Sequence, residues 1–227
     1  MGSEMCIRDS IKSLKSSKDI RTILYPAQMS VSNTTIYYSN KLNLTISSIN
    51  LSMLDKIGRK CYLPERLKNF IFKFSRNRLK LSAQLSHFTN IDKNCTPCRN
   101  LLGIDSPETC VHLYFECDFY KNLFSKTLSF FFAEYTFSNN PTCLLTGDFT
   151  DENRTLNSMI ILAASCIFYT FFTFAIRKKI CSSLACKMAV GQIVKKCIAS
   201  DKKTGNFIMR EMSLNRLENL RIVLNRL

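Results

Sequence analysis

The chain has 227 residues, of which 46% are hydrophobic, and its 32 Lys and Arg residues outnumber 17 Asp and Glu residues, which gives a formal charge of +15. This hydrophobic share is enough for a packed core and excludes disorder throughout the chain. The positive charge favours a polyanionic partner, either nucleic acid or an anionic membrane surface.

The N-terminal residues carry no export signal. Residues 1–10 read MGSEMCIRDS and have no apolar stretch of signal-peptide length, so we expect an intracellular protein, in the cytoplasm or nucleus, with reduced cysteines. Residues 4–10 look like the translation of an adapter used in sequencing libraries, and we expect the natural coding sequence to begin upstream. Residues 11–60 are rich in Ser, Asn and Thr without a sustained helical period, and we interpret them as a connector.

An amphipathic helix with a basic stripe is predicted to begin at Pro64, a residue suited to the first turn of a helix. The apolar residues that recur at helical spacing are Leu67, Phe70, Ile71, Phe74, Leu81 and Leu85. The basic residues that fall together on the other side are Arg66, Lys73, Arg76 and Lys80. Such a stripe is either an ordinary solvated face or a phosphate-binding surface, and its position directly before a cysteine cluster favours the second interpretation.

The cysteine cluster has the spacing of a metal site. Cys95, Cys98, His112 and Cys117 form the pattern C-x2-C-x13-H-x4-C. Two residues between cysteines let one tight turn direct both sulfurs to one point, and the second pair can converge from a helical turn. Four protein ligands leave no open position for water. We therefore predict a structural Zn²⁺ that the segment needs in order to fold.

Other interpretations of these residues stay open. The Cys-x2-Cys pair could be a redox pair, and Cys110 could replace His112 as a ligand. We interpret His87 as a packed histidine at a helix end. The remaining cysteines are interpreted as small buried hydrophobic residues: Cys61, Cys143, Cys166, Cys181, Cys186 and Cys197.

Two further helices are predicted before the basic C-terminal tail. Residues 119–137 are apolar and aromatic, and this helix should end at 139–141. Residues 159–176 contain no charge and are followed by Arg177-Lys178-Lys179, so they are either a membrane span or a helix buried on all sides of a bundle. We favour burial in protein. Near the C-terminus, a short helix with one apolar stripe is predicted from Leu217, Leu220, Leu224 and Leu227.

Three motifs together resemble the zinc-binding domain that follows the polymerase of non-LTR retrotransposon reverse transcriptases. They are YLPERLKNFIFKFSRNRLKL at 62–81, CTPC at 95–98 and ETCVHLYFEC at 108–117. The resemblance covers residues 61–135, and residues 136–227 correspond to a helical C-terminal region. It implies that Cys95, Cys98, His112 and Cys117 hold Zn²⁺. The chain differs from the family in having a cysteine at position 110 and in having no Trp. In relatives a Trp is frequent just after the last ligand, and we assign its packing role to Phe124.

The resemblance implies a noncatalytic part of a larger enzyme. The chain contains no Asp-Asp pair of the kind that two-metal polymerases use, so the chain alone is expected not to be an enzyme, whereas its full-length parent would be an RNA-directed DNA polymerase. We predict a mainly α fold, with a small zinc knuckle between an amphipathic basic helix and a C-terminal helical bundle.

We expect this module to bind template RNA or target DNA and to contact the polymerase domain of the same parent. The residues predicted to bind nucleic acid are Arg66, Lys73, Arg76, Lys80 and Arg99. The alternatives are a zinc-stabilised protein–protein interaction domain and a single-span membrane protein with a basic tail.

Overall fold

The computed structural model describes residues 31–60, 63–132, 141–146 and 154–204. Its helices are α1 (Val31–Leu42), α2 (Leu51–Gly58), α3 (Glu65–Phe74), α4 (Ser82–Leu85), α5 (Thr96–Leu102), α6 (Asp118–Phe131), α7 (Cys143–Thr146), α8 (Arg154–Ile176) and α9 (Ser183–Thr204), with a 3₁₀ turn at Ile46–Ser48 and a π-helical turn at His112–Glu116. The described part of the chain has no β-strand beyond one isolated bridge between Asn94 and Pro107. The predicted mainly helical fold is confirmed.

Helix α8 lies at the centre of the bundle. It packs against α2, α3, α6, α7 and α9, and every side chain from 160 to 168 is buried. A helix that is apolar on all sides is typical of a fully buried core position. Within the part of the chain whose side chains are described, no helix combines the length and apolarity needed to cross a membrane.

Helix α3 buries the apolar face that its sequence predicts. Leu67, Phe70, Ile71 and Phe74 are all buried, and the Phe74 ring lies edge-on to Phe168 of α8, with 5.6 Å between the ring centroids. Helix α2 approaches α3 closely at Gly58. A Cβ atom at Gly58 would lie 2.9 Å from Cγ2 of Ile71, so a larger residue would push the two helices apart.

The predicted helix does not continue from Pro64 to Leu85. Helix α3 ends at Phe74, and Asn77 adopts a left-handed conformation with φ of 48°. The Asn77 amide donates to the Phe74 carbonyl at 3.0 Å and the Arg78 amide to the Lys73 carbonyl at 2.7 Å, which is the pattern of a Schellman C-cap. The chain is then non-helical until α4, so the predicted basic residues do not form one helical stripe.

The connector interpretation of residues 11–60 is also wrong for 31–58, which form α1, the 3₁₀ turn and α2. Tyr38, Leu51 and Leu54 are almost completely buried, and the Tyr38 ring lies 5.8 Å from that of Phe115. The buried residues of α2, Leu51, Leu54 and Ile57, do recur at helical spacing, but this period spans only two turns and was missed among the surrounding Ser, Thr and Asn residues. The helix predicted to reach 139–141 ends earlier, at Phe131. Two other predictions concern residues outside the described ones: the adapter-derived residues 1–10 and the leucine stripe at 217–227.

Candidate metal centre

The first ligand pair lies at the start of α5. Cys95 immediately precedes the helix and Cys98 lies in its first turn, with Pro97 between them. Gly103 ends the helix with φ of 66°, a conformation that glycine adopts without steric cost. The Cys95 amide donates to the Ser106 carbonyl at 2.8 Å, and the Glu108 amide donates to the Lys93 carbonyl at 2.8 Å. These bonds close the loop and fix the entry of Cys95 into the site.

The second ligand pair depends on the π-helical turn at His112–Glu116. In an α-helix, two residues five positions apart point in directions about 140° apart. Here the Cys117 amide donates to the His112 carbonyl at 2.8 Å, and this i to i+5 bond widens the turn so that both ligands face one point. The intervening Leu113, Tyr114 and Phe115 point into the hydrophobic core.

The four predicted ligands converge on one point. Their ligand atoms all lie within 4.8 Å of one another. Cys98 Sγ is 3.3 Å from His112 Nε2 and 3.5 Å from Cys117 Sγ, and Cys95 Sγ is 4.0 Å from Cys117 Sγ. Sulfurs of one tetrahedral zinc shell lie about 3.8 Å apart, given Zn–S distances of about 2.3 Å. The cluster therefore has the size of a four-coordinate metal site.

The surroundings of the cluster orient its ligands. Cys95, Cys98 and Cys117 are 0%, 4% and 1% exposed. His112 turns Nε2 toward the sulfurs, while its Nδ1 lies 4.0 Å from Glu116 Oε2, which is longer than a hydrogen bond. Thr109 Oγ1 accepts a 3.0 Å hydrogen bond from the His112 amide and fixes the start of this turn.

The thiols contact one another within the cluster. The contact between Cys95 Sγ and Cys117 Sγ lowers the pKa of Cys117 and raises that of Cys95. Metal binding requires thiolates, and the lowered pKa of Cys117 favours that form. The cluster of three sulfurs and one imidazole nitrogen could hold a metal ion.

The alternative ligands lie away from this cluster. Cys110 is buried on the other side of its segment, with its Sγ 3.3 Å from Tyr38 Oη, and burial raises its pKa to about 12. His87 is exposed in the turn after α4, so its interpretation as a packed residue is wrong. The other cysteines with described side chains are buried, as predicted: Cys166, Cys181, Cys186 and Cys197. Cys61 and the side chain of Cys143 lie outside the described part.

The predicted nucleic-acid-binding residues fall into two groups. Arg66 and Lys73 are exposed on α3, and Lys80 is exposed in the segment that follows it. Arg76 and Arg99 instead have carboxylate partners. Arg76, whose side chain is 16% exposed, donates to Asp55 Oδ1 at 3.0 Å and stacks 4.0 Å above the Phe72 ring.

Residues 92–117, which carry the four candidate ligands, are called the knuckle below. Arg99 is exposed on its surface. It donates to Asp92 Oδ2, and its Nε is 3.7 Å from Asp105 Oδ1. These contacts connect the start of the knuckle loop to its end across α5. Arg99 is therefore part of the knuckle's own surface network, which reduces the positive charge it offers to a phosphate.

An ion pair lies beside the candidate metal centre, and no local pattern in the sequence indicates it. Glu108 is 0% exposed, and its Oε1 accepts hydrogen bonds from Ser82 Oγ and from Lys178 Nζ, the latter at 3.3 Å. Lys178 Nζ also donates to the Asn94 carbonyl at 3.0 Å. Desolvation raises the pKa of Glu108, although these donors oppose the shift. The pair joins the knuckle to the end of α8 across 70 positions of sequence.

The fold and the site together define a mainly helical protein in which three cysteines and one histidine could hold a metal ion. Comparisons with protein-family models, with curated proteins and with solved structures give no match.

Proposed function

We propose that this chain is the noncatalytic, zinc-binding part of a reverse-transcriptase-like protein and that it binds template RNA or target DNA. One observation carries the proposal. The two short motifs on which the resemblance rests, CTPC and ETCVHLYFEC, supply all four ligand atoms that converge within 4.8 Å. The motifs are 9 residues apart in the sequence, and their convergence is the property expected of a metal-binding pair.

Zinc suits this cluster better than other common metals. Thiolate and imidazole ligands in a tetrahedral shell are typical of Zn²⁺, whereas Mg²⁺ and Ca²⁺ require oxygen ligands. Four protein ligands complete the shell, so the metal would stabilise the fold instead of activating a water molecule. We therefore assign Zn²⁺ a structural role.

The nucleic-acid part of the proposal is supported by charge. The chain carries a formal charge of +15, and Arg66 and Lys73 lie seven residues apart on α3, which places them about 20° apart around the helix. Both are exposed, as is Lys80. Cations of this kind neutralise phosphates and fix the position of a backbone without reading its sequence.

The test is a salt titration of affinity, made with the zinc-loaded full chain on single-stranded RNA and on duplex DNA of several unrelated sequences. The variant combines Arg66→Gln, Lys73→Gln and Lys80→Gln. We expect it to weaken binding to every sequence and to reduce the log–log salt slope on duplex DNA by roughly two to three. The matched control, Lys41→Gln with Lys56→Gln and Lys126→Gln, removes the same charge from exposed positions on other helices.

A wild-type chain without salt-dependent affinity for either nucleic acid would refute this function. Equal slopes for the wild type and the α3 variant would instead remove α3 from the binding surface. In both measurements the zinc content is determined for every protein, so that a loss of metal is not mistaken for a loss of phosphate contacts.

A protein–protein interaction domain is the second candidate, and one observation favours it. Leu101, Leu102 and Ile104, at the end of α5, are each more than half exposed. An apolar surface at the tip of a zinc knuckle is suited to contact with protein, including the polymerase domain of the same parent. Replacing Leu101 and Leu102 by Ser would weaken such a contact and leave the salt slope on nucleic acid unchanged.

A further inference from the structure

We infer that the turn after α8 is a phosphate-binding element, in which Arg177 and Lys179 together with Lys93 of the knuckle form one surface for the sugar–phosphate backbone of nucleic acid. The inference rests on the proposed function and names a part of the binding surface that lies outside α3. It is based on the backbone of the turn, on the contacts of Lys178 and on the charge around the contact.

The backbone of this turn is unusual for the residue that occupies it. Lys178 has φ of 52°. Its amide donates to the Ala175 carbonyl at 2.9 Å, and the Lys179 amide donates to the Phe174 carbonyl at 3.0 Å. These bonds form a Schellman C-cap, in which the left-handed position is usually glycine. A lysine in this position indicates that its side chain has a role of its own.

The contacts of Lys178 show what that role is. Its Nζ donates to the Asn94 carbonyl at 3.0 Å and to the buried carboxylate of Glu108 at 3.3 Å. The Lys178 ammonium therefore holds the end of α8 against the knuckle and balances the charge of the Glu108 carboxylate. Lys178 itself cannot bind phosphate while it makes these contacts, but the contacts fix the positions of its two neighbours.

Those neighbours are the cations that remain available. Arg177 and Lys179 are exposed, and Lys93, which precedes Asn94, is exposed on the other side of the contact. None of the three is in an ion pair among the described residues. Adjacent residues have Cα atoms about 3.8 Å apart, so the contact between Lys178 and Asn94 brings the two segments that carry these three cations next to each other.

The acidic groups nearby do not cancel this charge. Asp92 and Asp105 lie on the knuckle, and Arg99 contacts both, which leaves one negative charge against the three cations. The adjacent cluster, with three thiolates and one Zn²⁺, would add one more negative charge, so the local balance is one positive charge. Because the turn is held in place before a ligand arrives, little conformational freedom is lost when phosphates bind.

The experiment compares two double variants of the zinc-loaded full chain by salt titration on duplex DNA and single-stranded RNA. Arg177→Gln with Lys179→Gln should reduce the slope on duplex DNA by about two. The control, Lys195→Gln with Lys196→Gln, makes the same change in net charge at exposed positions of α9 and should retain the wild-type slope. Lys93→Gln, on the opposite side of the contact, should reduce the slope by about one.

The outcomes separate this inference from the proposed function. If the wild type shows no salt-dependent binding, the proposed function fails, and the phosphate surface with it. If the wild type binds and the Arg177 and Lys179 variant has the same salt slope, the turn after α8 is not a phosphate-binding surface, although the proposed function stands. The same conclusion follows if the control variant reduces the slope as much. Vesicles that contain phosphatidylserine provide the remaining comparison, because Ile176 and Ile180 are exposed beside the turn. Loss of vesicle binding with unchanged nucleic-acid binding would assign the surface to membranes and overturn the inference.

Discussion

Cys110 and Cys117 lie in the same motif, but their surroundings differ. Cys117 Sγ lies among Cys95, Cys98 and His112, whereas Cys110 contacts the hydroxyl of Tyr38. We expect Cys95→Ser and Cys117→Ser each to lose the zinc that we propose for this cluster, because a serine oxygen replaces a thiolate that the tetrahedral shell requires. Cys110→Ser should keep one zinc per chain. Metal analysis of the purified proteins checks this, and stoichiometric zinc in both ligand variants would show that the ligand assignment is wrong.

Arg76 has a structural role that its place in the basic stripe did not suggest. Its guanidinium is held by Asp55 of α2 and by the Phe72 ring, and both ends of the ion pair are only 16% exposed. We expect Arg76→Gln to lower the free energy of unfolding by about 1–2 kcal/mol, since the Asp55 carboxylate loses a charged donor at a partly buried position.

The matched control for Arg76 is Lys73→Gln, which removes the same charge from an exposed position at the end of α3. Exposed substitutions of this kind usually change stability by less than about 0.5 kcal/mol. Urea unfolding of the two variants separates the roles. If both variants have wild-type stability, the ion pair with Asp55 contributes nothing measurable.

At the scale of whole elements, the spacing of nearby residues predicted structure correctly, whereas contacts between residues distant in the sequence could not be predicted. The ligand set could be predicted because each cysteine or histidine pair lies within one turn of chain, and the apolar face of α3 because it repeats at 3.6 residues. The break at Asn77 was missed because a single left-handed residue leaves the apolar period undisturbed. The contact between Glu108 and Lys178 was missed because it depends on how the knuckle packs on α8, which no local pattern records.

That contact leads to a prediction about how two elements are held together. Lys178→Met should lower the free energy of unfolding by about 3 kcal/mol, because it leaves the buried Glu108 carboxylate without its charged partner. Adding Glu108→Gln should recover part of this loss, since the double variant no longer buries an unpaired charge. A double-mutant cycle in urea measures the coupling, and additive losses would show that the two residues act independently.

The pH dependence of the Lys178→Met variant follows from Glu108. Burial raises the pKa of Glu108 above its unfolded value, which is about 4.3, so the folded state binds the proton more tightly. Loss of Lys178, which lowers this pKa in the wild type, raises the folded pKa of Glu108 further. The stability deficit of the variant should therefore be small below the wild-type folded pKa, grow as the pH rises from there to the variant's higher folded pKa, and stay constant above it. Unfolding experiments at mildly acidic and mildly alkaline pH compare the two regimes. A deficit that grows on acidification would contradict this assignment.

At the scale of the whole molecule, the metal centre and the hydrophobic core share residues. The π-helical turn directs His112 to the metal site and Tyr114 to the core, where the Tyr114 ring stacks on Phe168 of α8 at 4.5 Å. Helix α6 begins directly after Cys117 and packs against both α8 and α9. The sequence predicted a small zinc knuckle between a basic helix and a helical bundle. It did not indicate this shared packing, because the spacing of the ligands does not determine what the residues between them contact.

Removal of the metal should therefore unfold more than residues 95–117. A structural zinc contributes roughly 10–16 kcal/mol of binding free energy, which is as large as the total stability of about 5–15 kcal/mol that a domain usually has. We expect a strong chelator to abolish most of the helical circular dichroism signal, including that of α6, α8 and α9, and we expect added zinc to restore it. The control is the same chelator saturated with zinc, which should have no effect. If the chelated chain keeps its helical signal and its urea midpoint while zinc is lost, then the bundle is stable without the metal, and the cluster stabilises only its own loop.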